Sequence, residues 1–144
     1  MKPYYLVLLA LWGVGLTLPA QAEVTEDQAI RAILGEDSGS FEGMYAVACG
    51  IRNRGTLKGV YGVRAVRWVD GGLYRFKGQE RKEEITPELY QRAGRAWAES
   101  KDGYDVTMGS KHWEGATFKT PYWTKGKICV GQIGGNVFYR EPKK

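Results

Sequence analysis

Metal-binding and nucleophilic side chains are scarce in this sequence of 144 residues: it has one histidine, His112, and two cysteines, Cys49 and Cys129, 80 positions apart. No cluster with metal-ligand spacing can be assembled from them, so no metal centre is expected, and nothing in the motifs calls for a cofactor. Nucleophilic chemistry on serine or cysteine would have to use His112 as its only base. Cys49 falls in a mainly apolar helical pattern, where a buried structural thiol fits better than a reactive one. A glycine-rich loop ending in Lys-Ser or Lys-Thr is also missing, which removes the phosphate-cradling chemistry of nucleotide enzymes.

The chain likewise lacks an apolar run of membrane-spanning length. The longest, Tyr4 to Leu18, covers 15 residues, short of the roughly 20 that a helix needs to cross a bilayer. Lys2 precedes it and Pro19-Ala20-Gln21-Ala22 follows with a small-x-small ending. That is the plan of a secretory signal peptide over residues 1–22, with an uncleaved anchor as the alternative. Residues 23–144 then form one domain, expected to be a monomer that is secreted, periplasmic or held at the cell envelope, without stable membrane insertion after cleavage.

What is present is a mildly basic chain of net charge +5. Losing Lys2 with the leader leaves +4, a charge that suits anionic surroundings such as a bacterial envelope. Between residues 52 and 82, nine Lys or Arg stand against only Asp70 and Glu80. No recognised nucleic-acid module accompanies them, so a wall-facing or solvated surface is expected in place of a nucleic-acid interface.

Three stretches predict helices. Thr25-Glu26-Asp27-Gln28 is a capping-box sequence, followed by Ala29, Ile30, Ile33 and Leu34 at helical spacing until Gly35, which puts Glu36 at the helix end. From Phe41 to Asn53, Met44, Val47, Ala48 and Ile51 recur at steps of three and four, with Glu42 in front and Arg52 and Arg54 behind. Thr86 and Pro87 open a third, with Leu89, Tyr90, Ala93, Ala96 and Trp97 on its apolar face. The glycine-punctuated stretch 55–84 predicts short extended pieces at Val63 to Val69 and Leu73 to Phe76. Near the end, Lys127 to Val130 and Asn136 to Arg140 flank a glycine-rich turn. The sum is a small α+β domain, helix-dominated, with a minor antiparallel β element. Export makes a Cys49–Cys129 disulfide possible, and its loop would be worth roughly 4 kcal/mol in the chain-entropy account. Two separate buried thiols are the alternative.

Acid catalysis by a carboxyl group is the chemistry that remains. Breaking a glycosidic bond needs a proton delivered to the leaving oxygen. Partial burial beside apolar groups keeps a carboxyl protonated for that task. Glu36 is suitably placed after Ile33 and Leu34, with Gly35 expected to let substrate approach closely. On pattern alone, a surface glutamate at a helix end is the commoner outcome.

A resemblance moves that balance. Ala29-Ile30-Arg31-Ala32-Ile33-Leu34-Gly35-Glu36, then Gly43-Met44-Tyr45-Ala46-Val47-Ala48 and Ile51-Arg52-Asn53-Arg54, are followed by Gly109-Ser110-Lys111-His112-Trp113-Glu114, Pro121-Tyr122-Trp123 and Ile133-Gly134-Gly135-Asn136-Val137-Phe138-Tyr139. In this order the blocks resemble the cell wall hydrolase family typified by the spore cortex-lytic (SleB-type) enzymes. The resemblance implies a lysozyme-like fold and cleavage of peptidoglycan glycan strands, of muramidase or lytic transglycosylase type. It maps the family's catalytic glutamate onto Glu36, as general acid and base. His112, Trp113, Asn136 and Tyr139 become candidate substrate contacts, while Glu42 and Glu114 read as surface carboxylates. Two departures stand out: Ser38-Gly39-Ser40 replaces a frequent second acid, and Asn136 replaces a late histidine. They motivate the alternative of a catalytically inactive peptidoglycan-binding module on the same scaffold.

Overall fold

The computed structural model describes residues 23–116 and 119–143; the expected signal peptide lies outside the described residues. Helix α1 spans Glu26–Glu36 and helix α2 Phe41–Arg54. A short helix α3, Gly62–Ala65, leads into strands β1 (Val66–Val69), β2 (Gly72–Lys77) and β3 (Glu80–Glu84). Helix α4 covers Pro87–Ser100, and strands β4 (His112–Gly115), β5 (Ile128–Ile133) and β6 (Asn136–Arg140) close the chain.

The helix ends follow from the residues that occupy them. Thr25 accepts from the Gln28 amide at 3.2 Å while Gln28 Oε1 accepts from the Thr25 amide at 3.1 Å, so two orphan donors are satisfied reciprocally. Ser40 caps α2 by accepting from the Gly43 amide, and Gly55 stops it in the left-handed region at φ 71°. Thr86 caps α4, with Pro87 in the first turn where its missing N–H costs nothing. Each cap contributes about 1 kcal/mol. Burying a large aliphatic side chain contributes about 1.5–3 kcal/mol, so the core decides how the helices pack. That core joins Ile30, Ile33 and Leu34 of α1 to Met44, Val47 and Ile51 of α2, with Phe138 of β6 fully buried among them.

The strands form two antiparallel three-stranded sheets, β1-β2-β3 and β4-β6-β5. The architecture is thus mixed α+β, with more strand than the expected minor element. Strand β3 gives no hydrophobic signal because all five of its residues, Glu80 to Glu84, are charged and exposed. Strand β4 is the edge of the second sheet, and its pairing with β6 (Trp113 opposite Phe138) is a tertiary event that no local pattern announces.

The expected disulfide is not formed: both cysteines are free, Cys49 buried and Cys129 exposed. The Cys49 thiol turns toward the Tyr104 carbonyl, and burial pushes it up to about 11. Cys129 sits on a solvent-facing strand. Among the described residues no helix is long and apolar enough to cross a membrane.

Candidate active site

Glu36 is the last residue of α1 and is half-buried. Both of its carboxylate oxygens are held by N–H donors. The Gly62 amide donates to Oε1 at 3.0 Å and the Trp113 indole donates to Oε2 at 3.3 Å. The first contact depends on two glycines. A Cβ on Gly35 would lie 2.0 Å from the Gly62 carbonyl oxygen, and one on Gly62 would lie 2.8 Å from Glu36 Cγ. Gly35 therefore makes room for α3 and not, as the sequence suggested, for substrate. The second contact depends on Gly50, whose missing side chain lets the Trp113 ring lie against α2; a Cβ there would sit 2.6 Å from the ring.

The backbone around Glu36 is fixed from both sheets. Arg75 of β2 donates to the Leu34 carbonyl at 2.7 Å and to Ser38 Oγ at 2.9 Å. From β6, Asn136 Nδ2 donates to the Glu36 carbonyl at 3.2 Å. Asp37, which sequence reasoning passed over, accepts from the Gly135 amide at 2.8 Å and from the Gly39 amide at 2.9 Å. Side chains on Gly43 or Gly134 would come within 2.1 or 2.4 Å of its Oδ2. The signal in the sequence is the set of glycines at 39, 43, 134 and 135, which only makes sense once the two ends of the chain meet at Asp37.

Glu36 opens into a cleft of about 330 Å³ that Arg54, Tyr61, His112, Trp113 and Trp123 also line. Of the predicted contacts, His112 and Trp113 are therefore brought to Glu36. Asn136 and Tyr139 are not among the residues that line it. Asn136 is 3% exposed and committed to the Glu36 carbonyl. Tyr139 is 8% exposed and stands behind the cleft, edge-on to Trp123 with ring centroids 5.3 Å apart. Glu114 also lines the cleft, whereas Glu42 is an exposed residue in the first turn of α2.

His112 Nε2 lies 3.2 Å from Glu141, which also takes the Lys127 ammonium. Burial and then the Lys127 charge hold the imidazole below its ordinary value; Glu141 opposes this without prevailing. At neutral pH the ring is uncharged and offers the cleft a hydrogen-bonding edge. Arg54 donates to the Lys111 carbonyl at 2.7 Å and to the Lys58 carbonyl, and its guanidinium lies 5.9 Å from the Trp113 ring centroid. It escaped the sequence reading because it looks like an ordinary basic residue in the last turn of a helix. Tyr61 escaped because it follows a glycine-rich loop with no periodicity.

The assembled site is one carboxyl group aimed into a cleft walled by three aromatic rings, a neutral imidazole and a guanidinium. Aromatic faces stack on the apolar faces of sugar rings while polar edges bond their hydroxyls. A positioned carboxyl group is the usual means of moving a proton at a glycosidic oxygen.

No family model matches this chain, and no curated protein matches it. Among solved structures, the catalytic domain of the Bacillus cereus SleB protein is similar, with a TM-score of 0.53 and 20% sequence identity. The match covers 84% of this chain and 94% of that one. The likeness is one of fold.

Proposed function

We propose that this chain acts on bacterial cell wall, cleaving peptidoglycan glycan strands between N-acetylmuramic acid and N-acetylglucosamine, with Glu36 as general acid and base. The observation that carries the reading is the half-buried Glu36, braced at both oxygens and lining an aromatic cleft. The fold likeness to the SleB catalytic domain, and the sequence blocks that resemble SleB-type cell wall hydrolases, support the same substrate and a lysozyme-like scaffold. The expected leader, residues 1–22, would deliver the domain to the wall as a monomer.

In this reading the glycan strand lies along the cleft with sugar rings against Trp113, Trp123 and Tyr61. Glu36 transfers its proton to the glycosidic oxygen as the bond to the anomeric carbon of the muramyl residue breaks. The 6-hydroxyl of that same residue then attacks the anomeric carbon and returns its proton to Glu36. The products are a free N-acetylglucosamine 4-hydroxyl and a 1,6-anhydromuramyl end. One carboxyl group suffices because the substrate supplies the nucleophile, which accommodates Ser38-Gly39-Ser40 where a second acid is frequent. Proton transfer of this kind contributes about 10² to 10⁴ in rate.

The test is to digest purified sacculi with the wild type and with Glu36→Gln and to weigh the soluble products by mass spectrometry. Anhydromuramyl ends from the wild type alone are expected. Reducing muramyl ends would replace the transglycosylase step with hydrolysis. Binding to sacculi without products from either protein would favour the inactive wall-binding module.

A further inference from the structure

A second cleft lies at the other end of α1 and plays no part in the mechanism above. It has a volume of about 270 Å³ and is built around Trp68 of β1 and Tyr90 of α4, with Leu73, Ile85 and Pro87 as its apolar wall. Trp68 is 50% exposed. It is also held still. Its indole donates to Asp27 Oδ1 at 2.9 Å, the Tyr90 hydroxyl donates to the same oxygen at 2.9 Å, and the two rings stand edge to face at 5.9 Å. Gly71 and Gly72 also line the cleft.

We propose that this cleft is a second carbohydrate site, one that seats an N-acetylglucosamine ring on Trp68. The proposal rests on the wall-acting function argued above, which supplies a polymer with that sugar at every other position. A rigid exposed indole suits the C–H face of a pyranose ring, because little conformational freedom is lost when the ring lands. The rim carries Glu84, Thr86 and Gln91, polar side chains suited to sugar hydroxyls. Leu73, Ile85 and Pro87 give an acetamido methyl an apolar wall, which selects the N-acetylated sugar over an unsubstituted one. Glu84 disfavours an anionic ligand, so the neutral sugar of the strand fits better than a phosphate-bearing polymer. The volume lies just below the roughly 300–1,000 Å³ of drug-sized sites, the scale of one ring rather than of a docked helix.

Asp27 shows why this is a binding site and not a second catalytic one. Burial pushes its carboxyl up, but hydrogen bonds from Trp68, Tyr90 and Arg31 outweigh that and leave it below its ordinary value. Such a group stays ionised and gives no proton. Nine helical positions separate Asp27 from Glu36, about 14 Å along the axis at 1.5 Å per residue. The second site therefore lies within a few sugar lengths of the first and would hold the enzyme against the wall between cleavage events.

Nitrogen-15-labelled protein carrying Glu36→Gln, titrated with tri-N-acetylglucosamine, tests this through the indole N–H signals of Trp68 and Trp113. Both signals are expected to move, with separate saturation curves. Cellotriose, which lacks the acetamido groups, should leave Trp68 nearly unmoved. In the same background, Trp68→Ala is expected to weaken retention on sacculi about five- to tenfold, of the order of 1 kcal/mol by the affinity relation. Movement of Trp113 alone would overturn the second site and leave the proposed function standing. Movement of Trp68 alone would support the second site and count against the assigned cleft. If neither moves, both readings fall, and equal response to cellotriose would overturn the selectivity for the acetamido group.

Discussion

The two ends of α1 carry the same pairing with opposite consequences. At each end a helix carboxylate accepts from a tryptophan indole, Asp27 from Trp68 at 2.9 Å and Glu36 from Trp113 at 3.3 Å. Asp27 is further engaged by Arg31 at 2.9 Å and by the Tyr90 hydroxyl, which makes it a structural anion tying α1 to β1 and α4. Among the described residues Glu36 receives one other donor, the Gly62 amide, and it lines the larger cleft. Its surroundings also brace the backbone: Arg75 and Asn136 bond main-chain carbonyls at 34 and 36. The comparison teaches that a reactive group is distinguished by what is left free on it.

Several substitutions would break or sharpen this contrast. Among substitutions that leave Glu36 itself in place, the largest effect is expected for Gly35→Ala, whose new methyl meets backbone atoms of Gly62 that have no rotamer to give. Overpacking of this kind costs about 1–3 kcal/mol. Displacing Gly62 removes a donor from Glu36, so wall-digesting activity should fall more than tenfold at temperatures well below the melting point. Near-normal activity would show that the Gly62 bond is dispensable. Asp27→Ala strands the Trp68 and Tyr90 donors and should lower stability by about 1–2 kcal/mol by denaturant titration. Cleavage by the protein that remains folded should stay within about twofold. A collapse of turnover with unchanged stability would erase the division between the two ends.

Asn136→Ala removes the donor to the Glu36 carbonyl, a loss of about 1 kcal/mol. It should lower kcat several-fold with KM nearly unchanged, since Asn136 does not reach the cleft. A rise in KM alone would restore Asn136 as a substrate contact. The smallest effect is the pH dependence of folding set by His112. Its pKa is held below the ordinary 6.5, so the unfolded chain binds the proton more readily than the folded one. Stability should be unaffected by this group above that range and should fall as pH drops through it. His112→Gln should flatten that part of the profile, and an unchanged profile would contradict the assignment.

The three long helices were legible in the sequence because caps and periodicity are local, whereas Gly62–Ala65, expected to be part of an extended piece, is a short helix. Thr25 with Gln28 and Thr86 with Pro87 each act within one turn of the element they start. Glu36 was legible as a helix-end acid, but its partners were not. Gly62 is 26 residues away, Trp113 is 77 and Asn136 is 100. Bonds over such separations exist only once the sheets have folded onto α1. The same reason hid the role of Asp37, and it turned Asn136 from an expected ligand contact into a brace. The Cys49–Cys129 bridge was argued from export and loop length alone, neither of which says where a thiol points. His112 and Trp113, named from the family resemblance, are neighbours on one edge strand and both line the cleft.

The measurement that bears most directly on the account is the initial rate of soluble fragment release from purified sacculi by wild type, Asp27→Asn and Glu36→Gln, each first shown to be folded by its melting curve. Glu36→Gln should be about 10² to 10⁴ slower than wild type, with Asp27→Asn close to it. A Glu36→Gln rate within tenfold of wild type, or equal loss in both variants, would contradict the assignment of proton transfer to Glu36.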